Sequence, residues 1–212
     1  MEFDKKGILA PYTIITSILT GAVFSLIGSL VAFNLNLVKL LYLEGIALVV
    51  IGGFLAHWIL AHTIHDIYHI DIEERVTFSK KTLKILLILS TIILLLIAIY
   101  LTIKRGWPVM VFAVIGAMVC IYAEGLPHYR IQMAIGSMFL VIGGFYVQVG
   151  TLNLDYIIWF KVICMALFAF VMQYGWISFY RLDDYGWSRN TKNKSILITK
   201  TALFFLVLYL IL

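Results

Sequence analysis

The residues best suited to chemistry lie between positions 62 and 75, where His62, His65, Asp66, His69 and Glu73 follow a long apolar run. Carried on a continuing helix, these five fall on one stripe, because residues three, four and seven apart share a face. Three chemistries suit such a stripe. The residues can be a solvated, hydrogen-bonded helix end at a membrane surface. The carboxylates can serve Mg²⁺ and a diphosphate, since hard oxygen ligands suit a hard cation. His65 and His69, four apart, can instead hold zinc or iron. A membrane di-iron oxygenase would use more histidines than the five in this chain. Asp71 stands about 140° from Asp66 around a helix axis, so the two do not share a face. A second polar stretch, residues 180–195, carries Arg181, Asp183, Asp184, Arg189, Lys192 and Lys194.

The elements that position these residues are set by lipid. The chain has 212 residues, 63% hydrophobic and 13% charged, with a mean hydropathy of +1.02. Soluble domains are about 45–50% apolar and about 25% charged, so a soluble globular enzyme is excluded. A bilayer core requires about 20 apolar residues per helix. Runs of that kind predict about seven spans, at Ile8–Phe33, Leu37–Ala61, Leu83–Ile103, Pro108–Tyr122, Ile131–Val149, Ile157–Phe179 and Ile196–Leu212. The fourth is short. All are read as helices, because an isolated strand cannot satisfy its backbone in lipid. The expected architecture is a single domain over residues 1–212, an all-α polytopic transmembrane bundle, with no cleavable signal pattern at its start.

Charge placement predicts orientation. Twelve of the 16 Lys and Arg residues fall in segments on the same side as the N-terminus, which the positive-inside bias makes cytoplasmic. The net charge of +5 is thus a loop bias in a multi-pass cell-membrane protein and no footprint for nucleic acid. Both polar stretches fall on the cytoplasmic side. Cys120 and Cys164 lie in apolar runs and are read as packing residues. The glycines at 52–53 and 143–144 are read as close helix contacts, and Trp107, Trp159 and Trp187 as interface anchors. Glu44, Tyr146 and Gln148 lie toward the opposite end from Asp66, which sets Glu44 apart from a cytoplasmic site and makes packing the expected role of Tyr146 and Gln148.

In order along the chain, these segments resemble the UbiA superfamily of intramembrane prenyltransferases. The family's first Asp-rich motif, Asn-Asp-x-x-Asp-x-x-x-Asp, is matched by residues 65–73, keeping Asp66, with His69 in place of Asp and Glu73 as a conservative change. Tyr122 through Pro127, His128, Tyr129 and Arg130 is similar to its Tyr…Pro-x-Lys-Tyr-Arg segment. Gly143 to Gly150 resembles its fifth-helix pattern. Residues 180–195 occupy the place of the second Asp-rich motif, keeping Asp184, with Arg181 and Ser188 where carboxylates stand in the family. Members have nine helices, two more than expected here.

The resemblance implies transfer of an isoprenyl chain from a prenyl diphosphate to a small acceptor at a cytoplasm-facing Mg²⁺ site. It implies Asp66, Glu73 and Asp184 as catalytic carboxylates, with Asp66, His69, Glu73 and Asp184 as the metal set. Tyr122, Tyr129, Arg130 and Lys194 would bind the diphosphate substrate. Membrane lipid, a quinone or other small acceptor, and an oligomer or partner subunit closing the shortened bundle are the implied partners. The alternative is a non-catalytic relative that binds lipid or quinone or serves as a subunit of a membrane complex.

Overall fold

A computed structural model of the chain describes residues 14–15, 18–69, 78–125, 130–180 and 189–212. Of helical residues 68, 69, 118–125, 130, 177, 179, 180, 191 and 192 it describes the backbone alone. Among the described residues there is no strand. The helical rods are α1 (Ile18–Asn34), α2 (43–69), α3 (Lys80–Arg105), α4 (Pro108–Gly125), α5 (Arg130–Val149), α6 (Tyr156–Tyr180) and α7 (Arg189–Ile211). Five contain stretches long and apolar enough to cross a membrane: Leu43–Ile67, Lys80–Arg105, Ile131–Val149, Tyr156–Trp176 and Asn193–Ile211. The apolar parts of α1 and α4, Ile18–Asn34 and Pro108–Ala117, are shorter. Large apolar side chains such as Ile88, Leu96 and Phe204 are exposed along α3 and α7. Water would penalise that surface and lipid does not.

Local chemistry explains where the rods stop. Asn36 adopts φ +56° just beyond α1, a left-handed position that Asn tolerates after a helix. Ser79 caps α3 by accepting from the Thr82 amide at 3.2 Å. Gly106, at φ +102°, ends α3, and Pro108 opens α4, where its missing N–H costs nothing. Asp155 Oδ1 accepts from the Ile157 amide at 2.7 Å and so caps α6.

The rods alternate in direction. The ends of α2, α4 and α6 therefore lie with the starts of α3, α5 and α7 at one end of the bundle, called here the Asp66 end. The other end is pinned by Asn34 Nδ2 donating to the Tyr209 hydroxyl at 2.7 Å and by the Tyr42 and Tyr146 bonds described below.

Small residues let α1 lie directly against two neighbours. A Cβ on Gly53 would fall 2.2 Å from the Gly21 carbonyl oxygen, and one on Gly144 2.2 Å from the Ser25 carbonyl oxygen. Ser29 adds a hydroxyl bond of 3.2 Å to the Gly144 carbonyl. Close backbone approach of this kind is what holds helices together where lipid removes the hydrophobic driving force. Phe24 and Val31 of α1, Val141 and Phe145 of α5, and Val162 and Met165 of α6 form the main buried cluster.

Candidate functional site

The second helix changes its winding on the way to Asp66. It is α-helical over Leu43–Phe54, widens to a π-helix over Leu55–Ala61, and resumes as an α-helix over His62–His69. π-turns are uncommon and gather at functional sites. The final segment packs against α3 and α4 and buries Thr63 and Asp66, one turn apart, at 0% and 3% exposure. His62 and His65 flank them half-buried. Of the expected stripe, His62, His65 and Asp66 are described, and Asp66 is the buried one; the His69 side chain and Glu73 lie outside the described residues.

Asp66 is incompletely satisfied. Its Oδ1 lies 3.4 Å from His65 Nδ1. Its Oδ2 is buried with no hydrogen-bond partner among the described residues, and so are Thr63 Oγ1 and Gln132 Oε1. Gln132 sits in the first turn of α5, at the same end of the bundle. A buried polar oxygen without a partner costs about 1–3 kcal/mol, and a charged one more. Acceptor oxygens held in this way suit a ligand that brings donors or positive charge.

Below this end lies a cavity of ≈ 350 Å³, walled by α1, α2, α3, α4 and α5. That volume falls within the range of small-molecule sites, about 300–1,000 Å³. Ile64 of α2, Leu87 of α3 and Met133 of α5 mark its Asp66 end; Leu48, Leu101 and Val147 mark its opposite end. The few hydroxyls on its wall already have acceptors: Thr20 donates to Gln173 Oε1, Ser25 to the Gly21 carbonyl, Thr91 to Leu87 and Ser137 to Met133. His57, on the π-helical segment, is the one titratable side chain among the lining residues, with its ring 5.9 Å from that of His62. Such a wall accepts a hydrocarbon chain and offers a polar solute almost nothing.

The sequence candidates divide sharply. Asp66 is buried two residues beyond Ile64, where the cavity wall on α2 ends, and is not itself one of the lining residues. Lys194 is exposed in the first turns of α7 at the same end. The backbones of His69, Tyr122 and Arg130 belong to helix termini at that end, but their side chains lie outside the described residues. Glu73, Tyr129 and Asp184 lie wholly outside them. Among the described residues no three His, Cys, Asp or Glu side chains come together as a metal-binding group. Cys164 is a buried free thiol, in keeping with the packing role expected for it.

Comparison with protein-family models, with curated proteins and with solved structures finds no match.

At the opposite end, Tyr146 and Gln148, expected as packing residues, belong to a hydrogen-bonded cluster with Tyr42 and Glu44 close by. Gln148, 2% exposed, accepts from the Tyr42 amide at 2.8 Å and donates to the Tyr42 carbonyl at 3.2 Å. Its side chain thereby completes the backbone of residue 42 just before α2 begins. Tyr146 donates to the Arg105 carbonyl at 3.0 Å. Glu44 accepts hydroxyl bonds from Tyr42 and Tyr100, and the Arg105 guanidinium covers the Tyr42 ring at 4.3 Å. Burial, then the hydrogen bond to Glu44, pushes the Tyr42 phenol above its ordinary value of 10.0. The signal in the sequence was a glutamine near the end of an apolar span, where an unpaired amide is expensive. These groups satisfy one another and close the bundle.

Proposed function

We propose that this protein is an intramembrane prenyltransferase of UbiA-like type, moving an isoprenyl chain from a prenyl diphosphate to a small acceptor. The observation that carries the reading is a buried carboxylate with an unpartnered oxygen, Asp66, two residues along α2 from Ile64, where the wall of an apolar cavity within the bundle ends. A cation held by that carboxylate, carrying a ligand with an anionic head and a hydrocarbon tail, matches that pairing. The order of the sequence motifs supports the same reading.

Mg²⁺ fits the one described member of the proposed donor set, because the orphaned Asp66 Oδ2 is a hard oxygen lacking a counter-charge. Asp66, His69, Glu73 and Asp184 would hold the ion, which when bound would neutralise charge on the departing diphosphate. Tyr122, Tyr129, Arg130 and Lys194 would bind and orient the diphosphate itself. In the transfer, the allylic C–O bond breaks with its electron pair leaving on the diphosphate. The acceptor's nucleophile then bonds to the allylic carbon and gives up a proton. The apolar wall keeps water from competing for that carbon. On this reading the Asp66 end faces the cytoplasm.

A second reading, a non-catalytic relative that binds lipid or quinone, draws on His69 and Arg181 standing where the family has carboxylates. Equilibrium binding of geranylgeranyl diphosphate to the protein in lipid nanodiscs, with and without Mg²⁺, tests the first reading. Mg²⁺-dependent binding that weakens in Asp66→Asn is expected. Binding indifferent to both would overturn it.

A further inference from the structure

We infer that the cavity is a measured slot for one isoprenyl chain of four to five units, with its length limit set by the packed cluster at its far end and its bore kept open by Gly52, Gly116 and Gly143. This rests on reading the cavity as the isoprenyl site, and it names the donor that the site selects.

The depth follows from helix geometry. The wall runs from Ile64 to Leu48 on α2, from Leu87 to Leu101 on α3, and from Met133 to Val147 on α5. At 1.5 Å per residue these stretches are about 24, 21 and 21 Å long. Three main-chain bonds cover about 3.8 Å, so the four bonds of an isoprene unit cover about 5 Å. Four to five units fill the slot from head to floor.

The floor is firm. Leu101, Val109, Tyr146 and Val147 form a buried cluster against Tyr42 and Leu48. Beneath it the Gln148–Tyr42 and Tyr146–Arg105 bonds tie α2, α3 and α5 together. A longer chain would have to break that lock or turn out toward lipid.

Five of the six glycines of the wall fall into two groups. Gly53 and Gly144 press on backbone of α1, and a side chain there has no room. Gly52, Gly116 and Gly143 are different. A Cβ on Gly52 would meet only Ile97 and Leu94 side-chain atoms at 3.9 Å, and one on Gly143 only Phe112 Cβ at 3.7 Å; one on Gly116 would meet nothing within 4 Å. Helix packing does not require glycine at these three positions. Each costs its helix about 1 kcal/mol relative to alanine, and what each leaves is bore. Gly143 lies ten residues below Met133, about 15 Å down the slot, the depth of three isoprene units.

The test measures prenyl-chain length preference in lipid nanodiscs, using diphosphates of two to ten isoprene units and, separately, the corresponding prenyl alcohols competing with a photoreactive prenol. Wild type is expected to bind best at four to five units in both series. Gly143→Leu should move the optimum to about three units and weaken the four-unit ligand about tenfold relative to it. Gly116→Leu, which meets no neighbour, serves the same purpose if the first variant does not fold. A flat length profile, or an optimum that neither variant moves, would overturn the inference even if diphosphate binding and release are observed. A length optimum for the alcohols without any affinity for diphosphates would uphold the slot and remove the prenyltransferase reading.

Discussion

Two adjacent glycines on α5 should respond in opposite ways to the same added methyl group. In Gly144→Ala the new Cβ would sit 2.2 Å from the Ser25 carbonyl oxygen, more than 1 Å inside the usual C···O contact of about 3.3–3.6 Å. The obstacle is backbone, so α1 and α5 must separate. Overpacking of this kind costs about 1–3 kcal/mol, and losing the Ser29 bond to the Gly144 carbonyl adds about 1 kcal/mol. The better helix propensity of alanine returns about 1 kcal/mol. A net loss of about 1–3 kcal/mol remains, which for a chain of this size corresponds to a Tm lower by about 2–12 °C. In Gly143→Ala the contact is an ordinary 3.7 Å, only the propensity gain applies, and Tm should hold or rise by a few degrees. Thermal unfolding of both variants in one detergent, followed by intrinsic tryptophan fluorescence, makes the comparison. Equal Tm values, or Gly143→Ala as the less stable of the two, would refute the division of wall glycines into packing and bore-forming positions.

Gln148→Leu should lower stability by about 1–3 kcal/mol, because it strands the amide of Tyr42 while the Tyr42 carbonyl keeps the Ile46 amide; chemical denaturation in detergent reads it. Thr63→Val should leave the fold intact, since its hydroxyl has no described partner to lose, while weakening Mg²⁺-dependent prenyl diphosphate binding. Unchanged binding would remove Thr63 from the head of the site. Tyr42 should titrate above 10.0, followed as phenolate absorbance by difference from Tyr42→Phe. Its raised value means that the hydrogen bond to Glu44 is complete below the ordinary phenol range and is lost only as pH climbs through the folded-state value. In Glu44→Gln the shift should shrink but persist, because burial is its larger cause.

The helices were legible because lipid demands long apolar runs; over the described residues each expected run overlaps a rod, and five rods are long and apolar enough to cross a membrane. Their ends were less so. The run expected at Leu83–Ile103 continues to Lys80 and Arg105, whose long side chains let a helix extend past the apolar band. The second run was expected to end near Ala61, yet the helix goes on through His69, where apolar and polar residues share its turns. Asp66 stood out in the sequence because a charge beside an apolar run is conspicuous. Thr63 did not, since a hydroxyl in a helix usually bonds its own backbone. The paired glycines could not be separated by sequence: Gly143 and Gly144 differ only in which neighbour they face. Gln148 was read as a packing residue without its partner, because that partner is the backbone of a residue 106 positions away.

The most direct test of the central claim is diphosphate release from geranylgeranyl diphosphate by the purified protein in proteoliposomes, with Mg²⁺ and a panel of small aromatic and polyol phosphate acceptors. The account predicts Mg²⁺-dependent release that falls by about 100-fold or more in Asp66→Asn, the scale seen when one group aimed at developing charge is removed. Release at wild-type rate in Asp66→Asn, or no release with any donor from two to ten units, would contradict it.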